Sequence, residues 1–338
     1  MSATKDHDSD GEVGNSSDEA LCEMLGLKSL DTVILGQDDS QPTTRVNPTL
    51  IVEECNLAAI YSSESMCLLP KSLSISSALM RRLTDELVWG GDSIKADRTY
   101  ENIKVMKASG EIVERRTLTR LENFVRFHRE WKELCHGHLA GCISALFNEP
   151  MVLYKEKLNL KPPGGSGFAP HLDTPSLRVA LGKEGPQTFV TVMVAIDNMT
   201  AMNGCLRVSR GEWSESQHCE VIQPNEGDNP DSGGRAGAIP LEVAQDLNFD
   251  NIECQGGDIL VFNGWAPHRS APNASPFPRR AVFLTYNPES EGDFHERYYQ
   301  RMSELRSTWR ENVGLGAITK LDAEEKMELD ALSTIPRI

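Results

Sequence analysis

After Pro150 the chain changes texture, and no other feature narrows its possible folds as much. The apolar runs become short and β-branched, with "MVLYKEKLNL", "TFVTVMVAID", "CLRVS", "DILVFNG" and "RAVFLTYN" separated by Gly, Pro and Asn turns. Runs of this kind are strands, and several at such spacing make a sandwich or barrel. Before Pro150 the pattern is helical. "SLSISSALMRRLTDELVW" places Leu79, Leu83 and Leu87 on one helical face and stops at Gly90 and Gly91. The stretch from Leu118 through Phe147, with Leu121, Phe124, Val125, His128, Leu134 and Leu139 at mixed three and four spacings, reads as a longer helix. Helical patterning returns in "EGDFHERYYQRMSELRSTW". The expected class is α+β, a strand core with helices packed outside it.

Residues 1–45 are expected to be an acidic, disordered tail and linker, with a short amphipathic helix over Asp18–Leu30. The first 40 residues hold ten acidic side chains against Lys5 and Lys28, so the tail carries about half of the net charge of -16. Residues 46–338 read as a single domain: 46–150 mainly helical, 151–288 the strand core, 289–338 C-terminal helices. With 338 residues and 39% hydrophobic content, the chain can fill a sizeable core. No basic block or stripe offers a footprint for nucleic acid or an anionic membrane, so a small molecule is the expected partner. The eight cysteines are scattered without a CxxC pair, which suits reduced thiols and a cytoplasmic location. No leader-like or membrane-spanning run is apparent.

Chemistry concentrates in "KPPGGSGFAPHLDTPS". His171 and Asp173 are two positions apart, so on an extended strand both side chains leave the same face and can converge on one ion. A third ligand should arrive from a distant strand, and His268, 95 residues beyond Asp173, follows the apolar run "GGDILVFNGWAP". Two histidines and one carboxylate form a facial triad, the arrangement of non-haem Fe(II) oxygenases. Taken singly, an HxD pair is common by chance and His268 could be a packing histidine. Ser270 and Arg279, two and eleven residues beyond His268, add an anchor for a carboxylate, because an arginine fork binds one bidentately. A dicarboxylate held there by one end and chelating the metal with the other is 2-oxoglutarate.

These residues sit in motifs that resemble the phytanoyl-CoA dioxygenase family of Fe(II)- and 2-oxoglutarate-dependent oxygenases. The resemblance runs from about Lys157 to Arg301, through "PPGGSGFAPHLD", "NGCLRV", "GDILVFNGWAPHRSAPN" and "PRRAVFLTYNPESEGDFHERYY". It implies a double-stranded β-helix, a cupin-like jelly roll, with flanking N- and C-terminal helices. It also implies Fe(2+) on His171, Asp173 and His268, with 2-oxoglutarate gripped by Arg279 and Ser270. O2 is then consumed, succinate and CO2 are released, and a substrate C–H bond is hydroxylated. The motif similarities point to small polar substrates, including aminoalkylphosphonates, rather than acyl-CoA.

Other residues leave two readings open. Lys155, Lys157, Asn159 and Lys161 share one face of "KEKLNLK"; Asn159, with Lys157, either reaches the oxoglutarate carboxylate or belongs to a solvated strand face. Met193 lines the pocket or fills the core. Arg280, beside Arg279 on a strand, should point the opposite way and be structural. Asn203 and Gly204 read as a hairpin turn, and His128, His136 and His138 as solvated or capping side chains rather than a second metal site. Residues 178–255, with "NEGDNPDSGGRAG", are the expected lid. Two rivals use the same ligands: a zinc or manganese hydrolase, for which Arg279 and Ser270 have no purpose, and a non-catalytic metal-binding jelly-roll module.

Overall fold

The computed structural model describes residues 66–312, apart from 91–93, 107–111, 211–212, 214–215 and 218–236. The acidic segment 1–45, the helix expected over Asp18–Leu30 and most of "NEGDNPDSGGRAG" lie outside the described residues.

In chain order the first elements are β1 (Met66–Leu68), α1 (Ser77–Trp89), β2 (Asp97–Met106), β3 (Ile112–Glu122) and α2 (Arg129–Glu133). A π-helical turn over Leu134–Leu139 joins α2 to α3 (Ala140–Phe147). Then come β4 (Met151–Lys161), β5 (Phe168–His171), α4 (Asp173–Arg178), β6 (Val190–Ala195) and β7 (Leu206–Ser209). The last are α5 (Leu241–Ala244), β8 (Phe249–Ile252), β9 (Ile259–Asn263), β10 (His268–Ser270), β11 (Arg279–Pro288) and α6 (His295–Asn312). Two antiparallel sheets result: seven strands in the order β1-β9-β6-β11-β4-β3-β2, and four in the order β5-β10-β7-β8. Together they form the jelly-roll, double-stranded β-helix core.

The period-two alternation of the strands gives the larger sheet two different faces. Val190, Val192 and Val194 of β6 and Val282 and Leu284 of β11 point outward, where they meet Met80, Leu83 and Leu87 of α1 and Leu134 and Ile143 from the α2–α3 segment. Each such side chain, fully buried, contributes about 1.5–3 kcal/mol of hydrophobic stabilisation. Met193, Ala195, Phe262 and Ala281 point inward and pack with Leu206 and Val208 of the smaller sheet. Met193 is therefore a core side chain, completely buried. At the start of α1 the Ser76 hydroxyl accepts the Leu79 amide at 3.4 Å, and the helix ends at Gly90, where the sequence pattern places its stop, with the Gly90 amide closing on the Glu86 carbonyl.

The N-terminal part departs from expectation. In their described portion residues 46–150 hold strand as well as helix: β2 and β3 form a long antiparallel hairpin, and β3 pairs through Arg120, Leu121 and Glu122 with β4. Residues 118–122, expected to open a long helix, thus end a strand, and helix begins only at Arg129. Leu118, Leu121, Phe124 and Val125 are all buried, so the apolar spacing reports burial correctly but from a strand, a turn and a 3-10 segment in succession. Of the expected C-terminal helices, α6 lies within the described residues and 313–338 do not.

Candidate metal centre

The smaller sheet brings the two histidines together directly. His268 of β10 is the cross-strand partner of His171 of β5, and their ring centroids lie 4.1 Å apart. Strand β5 ends at His171; Leu172 stays extended and buried, and Asp173 opens α4, so the carboxylate still leaves the chain on the histidine side. Asp173 Oδ1 is 3.9 Å from His171 Nε2 and 3.7 Å from His268 Nε2. One ligand atom from each residue falls within 4.8 Å of the others, and among the described residues this is the one group of three with that property. His128, His136 and His138 form no such group. The close approach of β5 to β10 requires Gly167, where a Cβ would collide with the Ser270 carbonyl.

Neighbouring groups hold each donor in the state a cation needs. The Ala169 carbonyl, 2.7 Å from His171 Nδ1, and the Ala266 carbonyl, 3.0 Å from His268 Nδ1, can only accept, so both Nδ1 atoms carry the proton and both Nε2 lone pairs face Asp173. Burial, and then the nearby His268, drives the His171 imidazolium down to about 3. Burial pushes the Asp173 carboxyl up, but His268, His171, Lys157 and the Thr191 hydroxyl outweigh it and bring it to about 2. At neutral pH His171 is thus neutral and Asp173 ionised. Thr191 of β6 donates to Asp173 Oδ2 at 2.8 Å and ties the carboxylate to the opposite sheet. Two imidazoles and one fixed carboxylate fit a single divalent ion of intermediate hardness, iron above all.

Behind the triad the pocket ends in cationic side chains. Arg279, on β11, is 2% exposed and stands in register with Lys161 of β4. Arg279 Nη2 donates to the Gly204 carbonyl, while its Nε has no partner. Burial pulls the Arg279 guanidinium down to about 10. Lys161 Nζ donates to Ser270 Oγ at 2.8 Å, the Ala271 carbonyl at 2.7 Å and the Gly204 carbonyl at 3.3 Å. Burial and the adjacent Arg279 push the Lys161 ammonium down to about 7. Ser270 Oγ accepts from Lys161 and from the Phe168 amide at 3.2 Å, so its own proton is left to be donated into the pocket. Asn159 is 5% exposed and its Oδ1 has no partner. A buried cation pair and an unpartnered Nε fit an anionic co-substrate, because unmatched donors in such a place are costly.

Every residue named for the site lines this one pocket: His171, Asp173, His268, Arg279, Ser270, Asn159 and Lys157. The face shared by Lys155, Lys157, Asn159 and Lys161 is the inner wall of the jelly roll, not a solvated one. Sequence reasoning missed three contributors. Lys161 was grouped on that face without a role, Thr191 lies unremarked in "FVTVMVAID", and Gly204 was assigned only to a turn. Gly204 does turn the chain, with φ at +73°, but its carbonyl also receives Arg279 and Lys161. Arg280 points outward as expected, its guanidinium bound to Asp197 and Asp85.

A metal gripped from one side by two imidazoles and a carboxylate, with an anion anchor at the back of the same pocket, is the equipment of a non-haem iron oxygenase. The sequence profile of the Phytanoyl-CoA dioxygenase (PhyH) family matches residues 78–281, and the chain belongs to that family. As a member it is an Fe(II)- and 2-oxoglutarate-dependent dioxygenase. Among curated proteins it is similar to the 2-aminoethylphosphonate dioxygenase of an uncultured bacterium (HF130_AEPn_1), 37% identical over 199 residues, which are 59% of this chain and 69% of that protein. It is also similar to the methylphosphonate hydroxylase of Gimesia maris, 33% identical over 210 residues, 61% of this chain and 74% of that one. The fold is shared with EctD from S. alaskensis, solved with bound Fe, at a TM-score of 0.52 and 20% identity over 78% of this chain and 83% of that one. Among the described residues no helix is long and apolar enough to cross a membrane.

Proposed function

We propose that this dioxygenase hydroxylates a C–H bond of a small polar compound, with organophosphonates as the substrate class, and that it works in the cytoplasm. The observation that carries the oxygenase reading is the buried Arg279–Lys161 pair: neither has a carboxylate partner among the described residues, Arg279 lines the pocket that holds the triad, and Lys161 donates to Ser270 of the same pocket. A zinc or manganese hydrolase has no use for such a pair. The two phosphonate-oxidising relatives support the substrate class. Five buried free thiols, Cys67, Cys135, Cys142, Cys205 and Cys254, suit a reducing compartment.

In this reading His171 Nε2, His268 Nε2 and the Asp173 carboxylate hold the iron, and Thr191 keeps the carboxylate oriented. Bound Fe(II) supplies the oxidising chemistry: O2 is consumed, 2-oxoglutarate is split to succinate and CO2, and one oxygen atom enters the substrate C–H bond. Arg279 binds the far carboxylate of 2-oxoglutarate with the Ser270 hydroxyl and the Asn159 amide beside it, and Lys161 holds Ser270 as a donor. The apolar walls of the same pocket, Leu177, Leu206 and Phe283, keep water away from the reacting bond. The protein's work is to place three reactants in one small volume.

The test is product analysis. Full-length protein with Fe(II), 2-oxoglutarate and 2-aminoethylphosphonate or methylphosphonate under 18O2 should release succinate in step with a product carrying one labelled oxygen. Absence of succinate with every small phosphonate offered would reject the substrate class. Oxygen entering from water instead would favour the hydrolase, and no turnover with any small polar compound would favour a binding module.

A further inference from the structure

The pocket's cations are not equivalent. Lys155 Nζ is paired with Glu122 at 3.3 Å, Arg279 and Lys161 are engaged at the rear, and the Arg269 guanidinium stacks 4.2 Å above the Phe249 ring. Lys157 has no hydrogen-bond or ion-pair partner among the described residues. Its ammonium lies 5.3 Å from the centre of the Phe283 ring and 5.8 Å from that of Phe168. Two aromatic faces stabilise a cation without neutralising it, so the site keeps its affinity for an anion.

Its position separates Lys157 from the co-substrate anchor. On β4 it pairs with Phe283, whereas Lys161 pairs with Arg279. Four residues of strand put the two backbone positions roughly 13 Å apart, and although both ammonium groups lie over the Phe168 ring, at 5.8 and 5.7 Å from its centre, Lys157 alone is also held over Phe283. Lys157, unlike Lys161, lines the pocket that holds the triad.

We propose that Lys157 is the specificity-determining anchor for the anionic head group of the substrate, a tetrahedral oxyanion of the phosphonate class, and that it is not a ligand of 2-oxoglutarate. This rests on the oxygenase reading above and deepens it. Among the described residues, Lys155 and Arg120 add positive charge to the same wall and Asp173 and Glu122 negative charge; once a metal takes Asp173, the surplus favours a dianion over a carboxylate. Burial, with Arg120 and Lys155 next in effect, already lowers the Lys157 ammonium to about 8, and a bound dianion would restore it. A second feature narrows the class. Asp173 is the one carboxylate among the described residues lining the pocket, and the metal claims it, so these residues provide no counter-ion for a substrate ammonium. Plain alkylphosphonates should therefore bind at least as well as aminoalkyl ones.

The test uses calorimetric titration of Fe(II)-loaded full-length protein, kept without oxygen, at pH 7 with ethylphosphonate, 2-aminoethylphosphonate and propionate. It also uses 2-oxoglutarate binding to the Fe(II)-loaded protein, read from its visible absorption. Lys157→Met should weaken ethylphosphonate at least ten-fold and leave 2-oxoglutarate within two-fold. Lys157→Arg should recover part of the loss, and Arg279→Leu should show the opposite pattern. Wild-type protein should bind ethylphosphonate more tightly than propionate and no less tightly than 2-aminoethylphosphonate. Loss of 2-oxoglutarate with phosphonate untouched in Lys157→Met, equal binding of propionate, a marked preference for the amine, or no phosphonate binding to the wild type would each overturn the assignment. If the wild type develops no absorption with Fe(II) and 2-oxoglutarate, the oxygenase reading fails, and the anion titrations still decide what Lys157 binds.

Discussion

Arg279→Leu separates the work of the pocket's rear wall from that of the metal. The guanidinium is nearly fully buried, gives one bond to the Gly204 carbonyl and keeps its Nε unpartnered. A carboxylate arriving there gains two charge-assisted hydrogen bonds, each about 1.5–3 kcal/mol. Lys161 and Ser270 remain in the variant and recover part of this, which leaves a loss of about 3 kcal/mol, or roughly a hundred-fold in 2-oxoglutarate affinity. Because Arg279 does not touch the reacting bond, kcat at saturating 2-oxoglutarate should change far less than KM. Stability should barely move. The substitution removes a buried cation without a carboxylate partner and opens a small cavity, and these effects oppose one another. The assay is titration of the Fe(II)-loaded variant with 2-oxoglutarate, alongside a melting curve. A variant that no longer binds iron, or that binds 2-oxoglutarate like the wild type, would refute this account of the rear wall.

Three further outcomes follow from neighbouring contacts. Lys161 has its folded pKa depressed to about 7, so a bound dianion draws a proton onto it. Affinity for 2-oxoglutarate should thus be greatest below pH 7 and fall as pH rises above it, and Lys161→Met should show a weaker, flatter profile. Thr191→Val removes the donor to Asp173 Oδ2 and should lower Fe(II) affinity roughly ten-fold, measured by competition with a chelator. Glu156, fully buried, accepts the amides of Phe124 and Val125 and contacts His295 Nε2 and the Tyr299 hydroxyl, so Glu156→Gln should cost about 2–4 kcal/mol in denaturant unfolding.

How far the sequence could be read depends on how local each feature is. The strand core was legible because the apolar runs after Pro150 are short, β-branched and bounded by Gly, Pro and Asn turns. The triad was legible because His171 and Asp173 sit two apart and His268 follows an apolar strand, although only the register shows the two histidines as cross-strand partners. The β2–β3 hairpin was not legible. Its partnership is non-local, a shift in register at Thr99 and Tyr100 breaks its phase, and Leu118, Leu121, Phe124 and Val125 imitate a helical stripe. Lys161 and Lys157 share a face, so periodicity cannot tell them apart. Their different stations depend on which residues of β11 stand opposite, Arg279 for one and Phe283 for the other.

The account turns on one site holding iron and 2-oxoglutarate together, and visible spectroscopy without oxygen tests it most directly. Anaerobic protein given Fe(II) and then 2-oxoglutarate should develop a weak charge-transfer band that saturates at one equivalent of each and is missing in His171→Ala and Asp173→Ala. A wild-type protein without the band, or a band that survives loss of Asp173, would contradict it.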